Sequence, residues 1–225
     1  MSIVIRLSGF FFLSILILQI LMAVFGYILE PTPKHYESDA KLIAFNKSPK
    51  KFKIGVELAL FEHFCVISLA IMLFFVIDPY NILLGIVLII FRVPEGAIQV
   101  YIEKDYWGIL TLAEKYSVTS DMEKNSLLDS YRSILKTKSM RFACAMIGWS
   151  VGTLAFSLGL VIYGLTLTFI GWIGIVTSIL ISFANGMKLV KPDLRAYEAI
   201  SSISGLMAIV FEVLIGGWLL IFGIS

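Results

Sequence analysis

Four charged side chains fall where so apolar a chain should not hold them. Glu62, Arg92, Glu95 and Glu212 each lie near the middle of a long hydrophobic run. A charge at the bilayer centre costs about 2.5–3.5 kcal/mol even on a lenient scale, so four exposed to lipid would cost roughly 10–14 kcal/mol. They are expected to face inward and meet. Arg92, Glu95 and Gln99 recur at i, i+3 and i+7, one face of a helix. His63 adjoins Glu62 but should point about 100° away around the helix. Three carboxylates against one guanidinium leave an excess of negative charge. Protons on the Glu side chains, a protonated His63 or a bound cation would relieve it. The chemistry open to such a cluster is threefold: a working site for a substrate or proton, a fixed salt bridge from Arg92 to Glu95 or Glu212, or a metal site. Pro94, between Arg92 and Glu95, removes a backbone donor and frees the carbonyl of Ile90. It reads as a helix kink of the kind tolerated beside a cavity or a protein contact. No Ser/His/Asp arrangement, paired-His zinc motif or phosphate loop occurs, and no cofactor is expected.

The elements that must position these residues are membrane helices. Of 225 residues, 59% are hydrophobic and 15% charged, whereas a soluble domain carries about 25% charged and roughly 45–50% apolar residues. A net charge of +2 gives no reason to expect a nucleic-acid partner. Cys65 and Cys144 lie in apolar runs, read as buried thiols, and offer no disulfide framework. A helix needs about 20 apolar residues to cross a core ~30 Å thick. Six windows qualify: residues 7–29, 54–77, 80–103, 142–163, 169–189 and 200–222. The first is too long for a signal peptide, whose apolar region runs to roughly 7–15 residues, and reads as a retained span. The fold class is therefore all-α, a polytopic membrane bundle of six transmembrane helices in one domain over 1–225.

Every Lys and Arg except Arg6 and Arg92 belongs to the connections after spans one, three and five. That bias places those loops in the cytoplasm and both termini outside, in a multi-pass protein of the cell membrane. Counting from the span ends at ~1.5 Å per residue, Glu62 and Glu95 lie slightly to the cytoplasmic side of the midplane, with Arg92 and Glu212 close to it. One thin layer should hold all four. Residues 121–138 read as a short amphipathic helix. Ser120 and Glu123 have capping-box spacing, and Leu127, Leu128, Tyr131, Ile134 and Leu135 form an apolar stripe suited to the membrane surface or to a gate or docking role. Gly148, Gly152 and Gly159, and likewise Ser201, Gly205 and Ala208, are expected to pack helices closely within the monomer. Tyr106, Trp107, Trp172 and Trp218 suit interfacial belts. Glu57, near a span end, should reach water, and His35 should be a solvated loop residue.

Several motifs carry a resemblance. Arg6-Leu7-Ser8-Gly9 opens the first span, Phe91-Arg92 is followed by Glu95 in the third, and Gly171-Trp172-Ile173-Gly174 opens the fifth. Glu212 precedes Gly216-Gly217-Trp218-Leu219-Leu220 and Gly223 at the end. In order and spacing over nearly the whole chain, the sequence resembles the uncharacterised prokaryotic membrane proteins grouped as the domain-of-unknown-function 4386 family. Pro94 and the nearly charge-free C-terminal end depart from the usual pattern. The resemblance implies a multi-span membrane fold and supplies no activity or substrate. The leading functional expectation from the residues is a small transporter or proton- or cation-coupled membrane protein. Its site would comprise Glu62, His63, Arg92, Glu95, Gln99 and Glu212, and its partners would be the lipid bilayer and a small-molecule or cation ligand. Two rivals remain open. One is a structural, sensory or accessory subunit whose charges only fix helix packing. The other is an intramembrane lipid-modifying enzyme using Glu62 and His63 as acid and base.

Overall fold

The computed structural model describes residues 2–27, 40–191 and 196–223; His35 lies outside them. Among the described residues all regular structure is helical: α1 Ser2–Val24, α2 Ala40–Lys47, α3 Pro49–Ile77, α4 Ile82–Val118, α5 Asp121–Ile162, α6 Thr168–Val190 and α7 Ala196–Ile221. Six of them, all but α2, are long and apolar enough to cross a membrane. The helix of the first span stops earlier than residue 29. Gly26 adopts φ +79°, its N–H bonds to the Ala23 carbonyl, and that of Tyr27 bonds to Met22. This is the left-handed cap that glycine permits and that ends a helix. At the other face the link between α3 and α4 is held by Asn81, whose side chain accepts from the backbone N–H of Leu83 and Leu84 and donates to the Tyr163 hydroxyl.

The six spans form a closed ring. Each packs on its neighbour in sequence, α1 on α3, α3 on α4 and so on to α7, and α7 packs back on α1. Short links force antiparallel neighbours, and the ring follows from repeating that step. Its outer surface is apolar, with Phe61, Phe64, Phe183 and Leu206 more than half exposed, while its interior holds Glu62, Arg92, Glu95, Asn185 and Ser204. Cys144 is exposed on that outer surface, not buried as expected; an apolar run with no second apolar face to meet still presents one side to lipid. Pro94 is also exposed, and α4 runs through it as one helix.

Two helices outrun the membrane. α4 has 37 residues and α5 has 42, lengths of roughly 55 and 63 Å at 1.5 Å per residue against a hydrocarbon core of ~30 Å. The surplus is a helical hairpin on the Lys/Arg-rich face. Residues 121–138 are thus the first part of α5 and run into the fourth span without a break. No Gly or Pro interrupts residues 121–147, and the buried positions Tyr131, Leu135, Lys138 and Phe142 continue one stripe across the boundary. Ser120 is the N-cap residue, yet its side chain makes no capping bond.

Two apolar cores result. One, including Phe12, Leu69, Leu88, Phe156, Ile170 and Phe211, draws on all six spans and fills the ring toward the short-link face. The other lies at the charged face, where Leu42 and Phe45 of α2 join Phe52 of α3, Tyr106 of α4 and Tyr131 and Leu135 of α5. Tyr106 is fully buried there against Tyr27 and Phe52, so it is a core residue and not an interfacial one. Trp107 and Trp172 stay partly exposed.

Candidate functional site

The polar layer lies between those two cores. Its centre is a cavity of about 240 Å³ bordered by all six spanning helices. α4 supplies Arg92, Glu95 and Gln99 from one face, the i, i+3, i+7 repeat being carried straight into the ring. α3 contributes Glu62, α7 Glu212, α1 Gln19, α5 Trp149 and α6 Asn185. Glu62, Arg92, Glu95 and Gln99 are buried and Glu212 is half-buried. Glu95 lies within electrostatic reach of Arg92, Glu62, Glu212 and His63. Five of the six expected site residues therefore border one space.

The small residues explain why the ring can close tightly on one side and stay open on another. A Cβ on Gly148 would come 2.9 Å from the Phe91 carbonyl oxygen, and one on Gly152 would collide with the Arg92 side chain. α5 thus presses its glycine face onto α4 and fixes the direction in which Arg92 emerges. On α7 the expectation of close packing fails. Gly205 has nothing within 4 Å of its Cβ position, and Ser201, Gly205 and Ala208 border the cavity. Small residues permit either outcome, and here the opposing helix stands back.

Arg92 is the hub of the cavity, and its pairing is incomplete. Its Nη1 lies 2.8 Å from Glu95 Oε2, close enough for an ion pair, yet neither atom has a partner in hydrogen-bond geometry. The contact is near but badly directed. Asn185 Oδ1, beside the same cavity, is also buried without a partner. Gln99 Nε2 donates to Glu95 Oε1 at 3.3 Å, and the Arg92 guanidinium sits 5.8 Å from the centre of the Trp149 ring. Buried polar atoms are usually satisfied, so a cluster of unsatisfied ones at a cavity wall is a place for a ligand.

His63 takes a different course from the one expected. It does not border the cavity. Its Nδ1 lies 2.6 Å from Glu62 Oε2 and its Nε2 lies 3.2 Å from Glu103 Oε1. Adjacent helical positions do diverge, but a bent Glu side chain reaches back to the ring. Glu103 in turn accepts a hydrogen bond from the Tyr27 hydroxyl, which accepts one from Lys138 Nζ at 3.1 Å. The charge count therefore changes. Glu103 adds a fourth carboxylate and Lys138 a second cation to this cluster, and with His63 protonated the cluster would keep one surplus negative charge.

Sequence reasoning missed Glu103, Lys138, Tyr27, Gln19 and Asn185. Two of them had a signal. Glu103 continues the stripe of Arg92, Glu95 and Gln99 one turn further, and Lys138 interrupts the apolar stripe of Tyr131, Leu135 and Phe142. Tyr27, Gln19 and Asn185 had none, since only packing brings them to the polar layer. Glu57 is exposed, as expected. Among the described residues no group of three or more His, Cys, Asp or Glu could hold a metal ion.

These features define a multi-span membrane protein with a polar cavity inside a six-helix ring. The chain belongs to the family described as Domain of unknown function (DUF4386), which matches residues 5–223. No curated protein and no solved structure matches it.

Proposed function

We propose that this protein is a small transporter coupled to protons or cations, and that solute and coupling ion meet in the central cavity. One observation carries the reading: the polar layer encloses space instead of closing on itself. The cavity of about 240 Å³ is somewhat smaller than drug-binding pockets, which run to roughly 300–1,000 Å³, and suits a small metabolite. Its wall mixes apolar surface (Ile15, Val66, Met146) with the acids and Arg92, the composition of a site that orients a ligand by a few polar contacts. Arg92 holds an anionic group of the solute or governs ionisation of the acids around it. Glu62 or Glu95 takes up the proton or cation. The Lys/Arg-rich face, with the α4–α5 hairpin, lies in the cytoplasm, in keeping with the positive-inside rule.

A subunit whose charges only set helix register would hold a dry, fully paired cluster. The open space beside Arg92 and Glu95, whose 2.8 Å contact is poorly directed for a hydrogen bond, speaks against that. An acid–base enzyme built on Glu62 and His63 would need a ring nitrogen facing its substrate, and both nitrogens of His63 already face carboxylates. The test is solid-supported-membrane electrometry on proteoliposomes, screening small solutes under a pH gradient. Wild type should give solute-induced currents, and Glu95→Gln and Glu212→Gln should abolish them at normal expression. Wild-type currents from both folded variants would sink the proposal.

A further inference from the structure

Glu62 sits at the edge of the cavity and also at the end of a chain of titratable groups that leads away from it. Lys138 Nζ donates to the Tyr27 hydroxyl at 3.1 Å. Tyr27 donates to Glu103 Oε1. The same Oε1 lies 3.2 Å from His63 Nε2, and His63 Nδ1 lies 2.6 Å from Glu62 Oε2. The other oxygen of Glu62 accepts from Gln19 Nε2 at 3.0 Å and so stays oriented at the cavity wall. The five groups come from the end of α1, from α3, α4 and α5, and all are less than a tenth exposed.

We infer that this chain is a proton relay between the charged face and the cavity, with Lys138, Tyr27, Glu103 and His63 delivering protons to Glu62. The inference rests on the proposed coupled-transport reading and makes the coupling ion a proton.

The relay starts from neutral His63 with its proton on Nδ1, and each transfer runs between atoms already in contact. Lys138 gives a proton to the Tyr27 oxygen as Tyr27 gives its own to Glu103 Oε1. That proton passes on to His63 Nε2 while the proton on Nδ1 moves to Glu62 Oε2. The result is a neutral Lys138 amine and a protonated Glu62. Tyr27 and Glu103 regain their starting protonation, and His63 changes only its tautomer. A buried ammonium and a buried carboxylate become two neutral groups, so the transfer adds no net charge to the low-polarity interior.

The surroundings suit this role. Lys138 Nζ sits 3.6 Å from the centre of the Tyr106 ring and 4.4 Å from that of Tyr27, so aromatic faces hold the ammonium on the donor side of the relay. One turn further along α5, toward the ring, Arg141 pairs with Asp105, and both are partly exposed. Arg92, Glu95 and Glu212 are the charged groups at the inner end. The space beside Tyr27, His63, Glu103 and Lys138 is only about 10 Å³, at the lower limit for a single water. Side chains, not a water column, must therefore pass the proton.

The test is a stopped-flow pH jump on the purified full chain in lipid nanodiscs, reading the infrared C=O absorption of buried protonated carboxyl groups. The amplitude reports whether the cluster titrates, and the rate reports the route. Glu62→Gln should remove part of the wild-type amplitude. Tyr27→Phe keeps the ring stacked on Tyr106 and removes only the hydroxyl, so it should leave the amplitude intact. It should slow the rate on the order of 10²-fold, the low end of what a positioned proton-transfer group supplies. Glu103→Gln, which bonds but cannot carry the proton, should slow the remaining signal likewise. If both variants titrate at the wild-type rate, protons enter the cavity directly and the relay is overturned while the site survives. If Glu62→Gln and Glu95→Gln leave the signal unchanged, the site reading and the relay fall together.

Discussion

Two arginine–carboxylate pairs with the same spacing occupy two regions of this molecule. Arg92 and Glu95 lie three residues apart on α4, 2.8 Å from one another and almost wholly buried within the ring. Arg132 and Asp129 lie three residues apart on α5, 3.0 Å from one another, with side chains 48% and 71% exposed in the hairpin. The local geometry is nearly the same and the physics differs. In water the exposed pair gains little, because solvent competes for both charges. Inside the ring the partner is the main source of stabilisation for a charge that lipid would expel. The same contrast holds for the regions as wholes. Lys138 apart, the hairpin wears its charges outside and buries Tyr106, Tyr131 and Leu135, whereas the ring buries its charges and wears Phe61, Phe64 and Phe183 outside.

The largest effect should come from breaking the buried pair. Arg92→Met leaves Glu95 uncompensated and should lower stability in mixed-micelle unfolding by about 3–5 kcal/mol. Adding Glu95→Met should recover much of that loss, as replacement of a whole buried pair does. A double variant no more stable than the single one would mean that Arg92 is held by the rest of the cluster and not by Glu95. Next come the phenylalanines. Phe52, 1% exposed in the charged-face core, should lose about 3–5 kcal/mol as Phe52→Ala. Phe61 on the lipid face is 60% exposed, and Phe61→Ala should fall within roughly 0.5 kcal/mol of wild type. Similar losses at the two sites would show that the outer face of the ring is covered by protein and not by lipid.

Glycines sharpen the comparison within the ring. Gly148→Ala meets the Phe91 carbonyl and should destabilise by roughly 1–3 kcal/mol, the usual cost of overpacking. Gly205→Ala enters open space and should be nearly neutral in stability while narrowing the cavity, which solute-induced currents would register. The smallest effect belongs to the exposed pair: Arg132→Ala should change stability by no more than about 0.5 kcal/mol.

What could be read directly from the chain was whatever the membrane imposes locally. Lipid cannot satisfy a bare backbone, so a run of about 20 apolar residues has to be a helix. Six such runs, and the four charges that interrupt them, stand in the sequence without reference to anything else. The i, i+3, i+7 repeat on α4 even named the face of that helix that turns inward. The limits of α1 and α5 were harder. They depend on the left-handed backbone at Gly26 and on whether an amphipathic stripe runs on through Arg141, and neither is a matter of hydrophobicity.

Only the tertiary structure decided which side chains meet. Ring closure between α1 and α7 brings Gln19 and Glu212 to the same cavity although 193 positions separate them in the chain. The stand-off of α7 turned an expected packing face into a cavity wall, because small residues allow contact but cannot compel it. The meeting of Tyr27 with Glu103 and Lys138 depends on where the end of α1 crosses the long helices α4 and α5 at the charged face. Hydrophobic periodicity specifies which way each helix faces. The identity of the partner across a gap of a few ångströms is set by how the helices stack against one another, and that information is shared among all six.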